Sequence, residues 1–223
     1  RGDEDAAVHE NYRRFAAALG FSEKDIVTSD QTHTANVRIV TDEDRGNGIT
    51  KPRPYTDVDG MITNVRGLVL ATFYADCVPL YFVDPVHHAI GLSHSGWRGT
   101  VAKIGAVTIR KMQETYGTDP ADVYAAIGPS ICQECYEVSE DVILEFKKSF
   151  APEHREKLFY KKENGKYQLN LWEANKIIFT EAGITENHIS MPGICTCCNP
   201  EFLFSHRASH GKRGNLGAFL GLK

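Results

Sequence analysis

The 223-residue chain nowhere offers the roughly 18 consecutive apolar residues needed to cross a bilayer. Its longest apolar stretch, GLVLATFYADCVPLYFV, is broken by Asp76 and Pro79 and reads as buried sheet. Positive charge is scarce too. With 25 Lys and Arg against 29 Asp and Glu the net charge is -4, so no global basic field favours nucleic acid or an anionic membrane. No basic segment leading into a short apolar one marks a signal peptide. The 6 cysteines fall as Cys77, Cys132 with Cys135, and the cluster Cys195, Cys197 and Cys198. That uneven spacing argues against a disulfide framework and for a reducing cytoplasm. No period of roughly 20 to 50 residues recurs, and no low-complexity linker divides the chain. One domain with a sizeable core is expected over 1–223. The chain opens on RGDEDAAVHE without a Met, so a further N-terminal segment is expected upstream.

What is present is an irregular interleaving of helix and strand signals. Val8, Tyr12, Phe15 and Leu19 form one helical stripe ended by Gly20. DIVTSDQTHTANVRIVT alternates as strand around a polar turn, and RGNGITKPRPYTD is a loop. DVDGMITN and GLVLATFYADC are strands, the second apolar on both faces and therefore central. A helix is predicted over about Thr100–Tyr116 and stops at Gly117. DVYAAIGPSI is a strand, and Ser139 is placed to cap a helix that turns Val142, Phe146 and Phe150 inward. YKKENGKYQLNL looks like a charged hairpin, with Asn170 and Glu173 as a capping box for the helix after it. The tail FLFSHRASHGKRGNLGAFLGL reads as strand, basic glycine-rich loop and strand. One mixed domain of helices and strands is the reading these signals support.

The chemistry gathers around ADCVPLYFVDPVHHAIGLSHSGWRGT. Asp84 and Pro85 favour a turn. With a loop at 84–87, Val83 faces His88, and continuing that register sets Cys77 opposite His94. Facing residues bring side chains close enough to share a metal ion or a proton. Alone, a cysteine here is a core filler and a histidine a hydrogen-bonded strand end. Their company, Asp76 on one side and HSGWRGT on the other, favours function, with Arg98 available to an anion. A catalytic zinc keeps three protein ligands and one open position. Spacing leaves His33, His88 and His206 open as the third.

DQTHTANV, ADCVPLYF, HSGWRGT, AIGPSICQECYEV and LFSHRASHGKRGNLGAFL together resemble the laccase-domain family, nearly end to end and in the family's order. The resemblance implies an α+β fold, a single-domain mixed sandwich of β-sheets with helices outside, and a purine nucleoside phosphorylase with adenosine deaminase activity. Its substrates would be a small-molecule nucleoside and phosphate, with neither nucleic acid nor membrane as partner. It also implies a zinc site at His33, Cys77 and His94, with copper an alternative occupant of the same ligands. Asp76 is then the expected proton shuttle, and the catalytic set is His33, Cys77, His94 and Asp76. Arg98 and Arg207 are expected to hold phosphate, ahead of Lys212 and Arg213, with Ser205 and Asn36 as further substrate contacts. Family members normally carry a strand region before the first helix, and their tail usually reads S-x-R-R-D-G-x-T-G-R. Here it is SHRASHGKRGN.

Two other chemistries compete. A multicopper polyphenol oxidase needs a trinuclear cluster fed by His-x-His pairs, and the 9 histidines form none. A cysteine hydrolase would use Cys77 as nucleophile and His94 as base, leaving His33 without a task. A non-enzymatic domain would use the Cys–His pair only as a staple. Cys132, Cys135 and the Cys195 cluster suggest a four-cysteine zinc site, but buried thiols or an opportunistic disulfide are the favoured expectation. Trp97, Tyr74, Tyr81 and Phe82 suit either core packing or a stacked purine.

Overall fold

Side chains on successive strand residues point to opposite faces, so a strand that is apolar throughout must be covered on both sides. The computed structural model, which describes residues 2–223, builds its layers on that rule. In chain order the strands begin with β1 (Ile26–Thr28), β2 (Val37–Ile39), β3 (Gly60–Thr63), β4 (Val69–Tyr74), β5 (Val78–Asp84) and β6 (Ala89–Ser95). They continue as β7 (Tyr124–Ile127), β8 (Glu137–Val138), β9 (Phe159–Lys161), β10 (Tyr167–Leu169), β11 (Ile189–Ser190) and β12 (Leu216–Gly221). The α-helices are α1 (Asp5–Leu19), α2 (Trp97–Val101), α3 (Ile104–Tyr116), α4 (Glu140–Ser149), α5 (Arg155–Leu158) and α6 (Leu171–Glu181).

A six-stranded mixed sheet runs β11-β7-β5-β6-β3-β2, and a three-stranded sheet runs β1-β4-β12. On β3 and β5, Ile62, Leu80 and Phe82 turn to one face, where Ile109 and Met112 of α3, Phe146 of α4 and Phe179 of α6 cover them. Met61, Ile90 and Leu92 turn to the other face and meet Leu70, Tyr74 and Ala218 of the smaller sheet. That sheet's outer face, Val69 and Ala71, lies under Ala16 and Tyr12 of α1. The layers are thus helix, sheet, sheet, helix, as the family resemblance implies. Burying each of Phe82, Phe146 and Phe179 contributes about 1.5–3 kcal/mol. A small β8-β10-β9 sheet adds the charged hairpin at one end. Among the described residues no helix is long and apolar enough to cross a membrane.

Several expectations shift. The 100–116 helix is two helices, broken at Lys103, whose left-handed backbone (φ 58°) turns the chain between them. Ser139 stands at the N-cap of α4, but its hydroxyl donates to Asp141 instead of accepting from the backbone. At α6 only the Asn170 half of the capping box forms, accepting from the Glu173 N–H at 3.0 Å. Residues 201–205 are turn, not strand. On α1 only Ala16 is buried, and Phe15 and Leu19 remain 43% and 37% exposed because a three-stranded sheet is too narrow to cover the whole stripe.

The β5–β6 hairpin departs from its expected register by two residues. Asp84 stays in the ladder opposite Ala89, and the loop is 85–88. The Asp84 carboxylate sets this by accepting from the Val86 and His87 N–H groups at 2.9 and 3.0 Å. Val83 therefore faces Ile90, and His94 faces Pro79, not Cys77. Two residues is one strand period, so the slip leaves Cys77 on the same face as His94, as its diagonal neighbour.

Candidate metal centre

Three segments meet at the start of β5. His33 sits in the turn after β1 in a left-handed conformation (φ 68°). Cys77 follows Asp76, whose φ of 85° makes the corner between β4 and β5. His94 is the sixth residue of β6 and is buried. The ligating atoms of His33, Cys77 and His94 all lie within 4.8 Å of one another. The two imidazoles meet edge to face, with centroids 4.8 Å apart.

The group that orients this set is one the sequence reading missed. Asp59, immediately before β3, is fully buried and accepts the His94 Nδ1–H at 2.8 Å. The same carboxylate accepts the N–H groups of Thr32, His33 and Thr34 at 3.0, 3.1 and 2.9 Å. One aspartate thus fixes both the tautomer of His94 and the loop that presents His33, turning the Nε2 of His94 toward Cys77. Burial by itself raises the Asp59 pKa, but the hydrogen bonds from His94, Thr34 and Thr32 prevail and hold it at about 2. Likewise burial raises the Cys77 thiol, yet His33 and His94 together bring it down to about 6. Burial lowers His94, and its bonds to Asp59 and Cys77 lift it to about 9. The three side chains offer two nitrogens and one sulfur, a donor set that suits zinc with one position left open.

Gly96 keeps that position clear. A Cβ there would stand 3.2 Å from the Cys77 sulfur and 3.0 Å from Cδ2 of His33. The Gly96 backbone (φ -76°, ψ 179°) is open to alanine, so crowding and not strain is the obstacle. Gly96→Ala is expected to weaken metal binding at least about tenfold while the metal-free protein keeps its melting temperature, measured by chelator competition and thermal unfolding.

The triad lines a cavity of about 280 Å³ together with Tyr74, Arg53 and Arg213. A neighbouring hollow of about 380 Å³, walled by Tyr12, Phe15, Phe73 and Phe219, shares Phe73 and Asn215 with it. The second is larger but carries no ligating cluster, so the chemistry belongs to the first.

The other candidates scatter. Asp76 adjoins Cys77, but its two oxygens accept the Thr196 hydroxyl and the Arg207 N–H, both at 2.7 Å, so it holds the tail loop in place. The Arg207 guanidinium donates to the carbonyls of Cys135 (3.2 Å) and Glu137 (3.0 Å). Arg98 is exposed and lies over the Trp97 ring at 4.4 Å. Buried Ser205 accepts the Ala208 N–H at 3.1 Å. The Asn36 amide donates to Asp57 at 2.6 Å and braces the His33 loop. Of Trp97, Tyr74, Tyr81 and Phe82, Tyr74 alone lines the cavity, beside Phe73; Phe82 is core, and Tyr81 faces a different hollow. Arg53, on the cavity wall and paired with Asp30 at 2.7 Å, gave no signal in its Pro-Gly loop. The signal for Asp59 was the DVDG run opening a strand.

A purine nucleoside phosphorylase, YlmD, of Bacillus subtilis is 37% identical over 222 residues, covering 99% of this chain and 79% of that protein. An adenosine deaminase, RL5, from an unknown prokaryotic organism is 31% identical over 92% of this chain and 78% of its own length. The crystal structure of the Bacillus licheniformis hypothetical protein YfiH superposes with a TM-score of 0.94 at 36% identity, covering 100% of this chain and 83% of that one. The match to the family described as multi-copper polyphenol oxidoreductase laccase spans residues 1–223, and the chain belongs to that family.

Proposed function

We propose that this chain is a zinc-dependent purine nucleoside phosphorylase that also deaminates adenosine in the same cavity. The observation that carries this is the His33–Cys77–His94 set opening on a cavity walled by two arginines. The activities named for the YlmD and RL5 relatives support it. Zinc at these ligands would supply a Lewis acid and an activated water.

The remaining work falls to the chain's own residues. Asp59 holds His94 in one tautomer and His33 in one loop conformation, so neither ligand reorganises during turnover. Phosphorolysis needs an oxyanion held near C1′ of the ribose while the purine leaves. We assign that contact to Arg213 and Arg53, because both stand on the cavity wall, whereas Arg98 is exposed over Trp97 and does not line it. Arg207, Ser205, Asn36 and Asp76 are assigned to positioning, since they bond to other parts of the chain and none of them lines the cavity. Tyr74 and the aromatic hollow beyond Phe73 offer flat apolar walls to a base. The working compartment is the cytoplasm, in keeping with six free thiols.

Cys77, His94 and Asp59 also stand in the order of nucleophile, base and orienting carboxylate, which favours the cysteine hydrolase as second reading. The same experiment separates them. Incubated with adenosine and inorganic phosphate, the zinc-loaded protein is expected to release adenine only when phosphate is present and inosine without it. Both products should stop on chelation and return with zinc. Failure of the zinc-loaded protein to turn over any purine nucleoside would overturn the proposal, and a thiol-dependent activity indifferent to chelation would establish the hydrolase.

A further inference from the structure

A second set of metal-type side chains lies outside the cavity. Read by spacing, it is two Cys-x-x-Cys pairs, Cys132 with Cys135 and Cys195 with Cys198, the second obscured in the sequence by the intervening Cys197. Their four sulfurs all lie within 4.8 Å of one another. Cys198 Sγ is 3.5 Å from that of Cys135 and 4.0 Å from that of Cys132. A disulfide would need about 2.05 Å, and all six cysteines are free thiols. A single tetrahedral zinc with thiolates at about 2.3 Å places neighbouring sulfurs about 3.8 Å apart, between the two separations seen.

The surroundings fit thiolates. The N–H groups of Cys132 and Cys198 donate to Cys195 Sγ at 3.2 and 3.4 Å, bonds that a neutral thiol accepts only weakly. Both pairs are held in register by the backbone. Ser130 N–H donates to the Ile194 carbonyl and Thr196 N–H to the Ser130 carbonyl, each at 3.1 Å. Ile131, Tyr136 and Trp172 pack around the sulfurs.

We propose that Cys132, Cys135, Cys195 and Cys198 bind a second zinc ion, closed and structural, distinct from the one assigned to His33, Cys77 and His94. Four thiolates leave no open position for substrate. The ion would clasp the 195–207 segment to the end of β7. From that segment Thr196 and Arg207 reach the Asp76 carboxylate, one residue from Cys77, so the clasp steadies the cavity's corner from behind.

Elemental analysis of the purified protein is the test. Two zinc ions per chain are expected in the wild type, one in Cys198→Ser and one in Cys77→Ala, lost from different sites. Cobalt substituted into the Cys77→Ala protein should give the intense absorption of a tetrahedral tetrathiolate ion. Should Cys198→Ser fail to fold, peptide mapping of the alkylated wild type decides. Cys132, Cys135, Cys195 and Cys198 are expected to resist alkylation until a strong chelator is added, while Cys197 reacts throughout. A Cys77→Ala protein devoid of zinc, ready alkylation of the four in metal-replete wild type, or a disulfide among them would each overturn the proposal.

Discussion

Alanine at position 77 is expected to abolish nucleoside turnover and to strip the metal from the His33–Cys77–His94 set in one step. Cys77 provides the only sulfur in that set, and the two ligands left are a buried imidazole and an exposed one on a loop. A loss of at least about a thousandfold in kcat/KM is expected, equivalent to about 4 kcal/mol of transition-state stabilisation. The fold should survive, because the side chain is small, only half-buried and at a corner, not inside the ladder. Parallel measurement of zinc content, adenine and inosine release, and melting temperature checks this. A variant retaining full activity would remove Cys77 from the mechanism.

The second large effect is expected at Asp59, which is shut off from solvent and stands behind the cavity wall. Asp59→Asn keeps the shape but replaces one acceptor oxygen with an amide nitrogen that faces donors. The native carboxylate accepts from three main-chain N–H groups and from His94, so some of these donors must be orphaned. A cost of about 2–4 kcal/mol in stability is expected. Metal affinity should fall about 10- to 100-fold, as for loss of other carboxylates that orient ligating histidines. Chelator competition and urea unfolding measure the two separately. The pH dependence has a definite sign. Asp59 is held at about 2 against an ordinary 3.8, so its contribution is complete above the ordinary value and is lost as pH falls through about 2. Unchanged metal affinity in Asp59→Asn would mean that His94 needs no carboxylate to orient it.

Much of this was legible in the sequence, for reasons that also show where it stopped. Unbroken apolar runs in GLVLATFY and VPLYFV marked strands covered on both faces, while the layering was legible only through the resemblance to the family. The pairing of Cys77 with His94 survived an error of register because the error equalled one strand period; a slip of one residue would have hidden it. Asp59 showed only as part of the DVDG run, because burial and hydrogen bonding, not residue type, turn an ordinary strand-leading aspartate into the hub of the site. Arg207 looked like a phosphate fork because sequence shows a charge and not its partners, which here are two carbonyls. The Cys-x-x-Cys pairs were discounted because Cys197 hid the 195–198 spacing.

The bonds that reach Asp76 span 120 residues to Thr196 and 131 to Arg207, and β12 pairs with β4 across a similar stretch. Such closures come late, since long segments must be ordered before the contacts reward them. During synthesis from the N-terminus, β4 and the Asp76 corner emerge well before the segments that lock them. A nascent chain halted before residue 195 would hold His33, Cys77 and His94 yet lack the bracing beside Cys77. Completion of the Asp76 corner therefore waits on residues 195–221, which act as its latch.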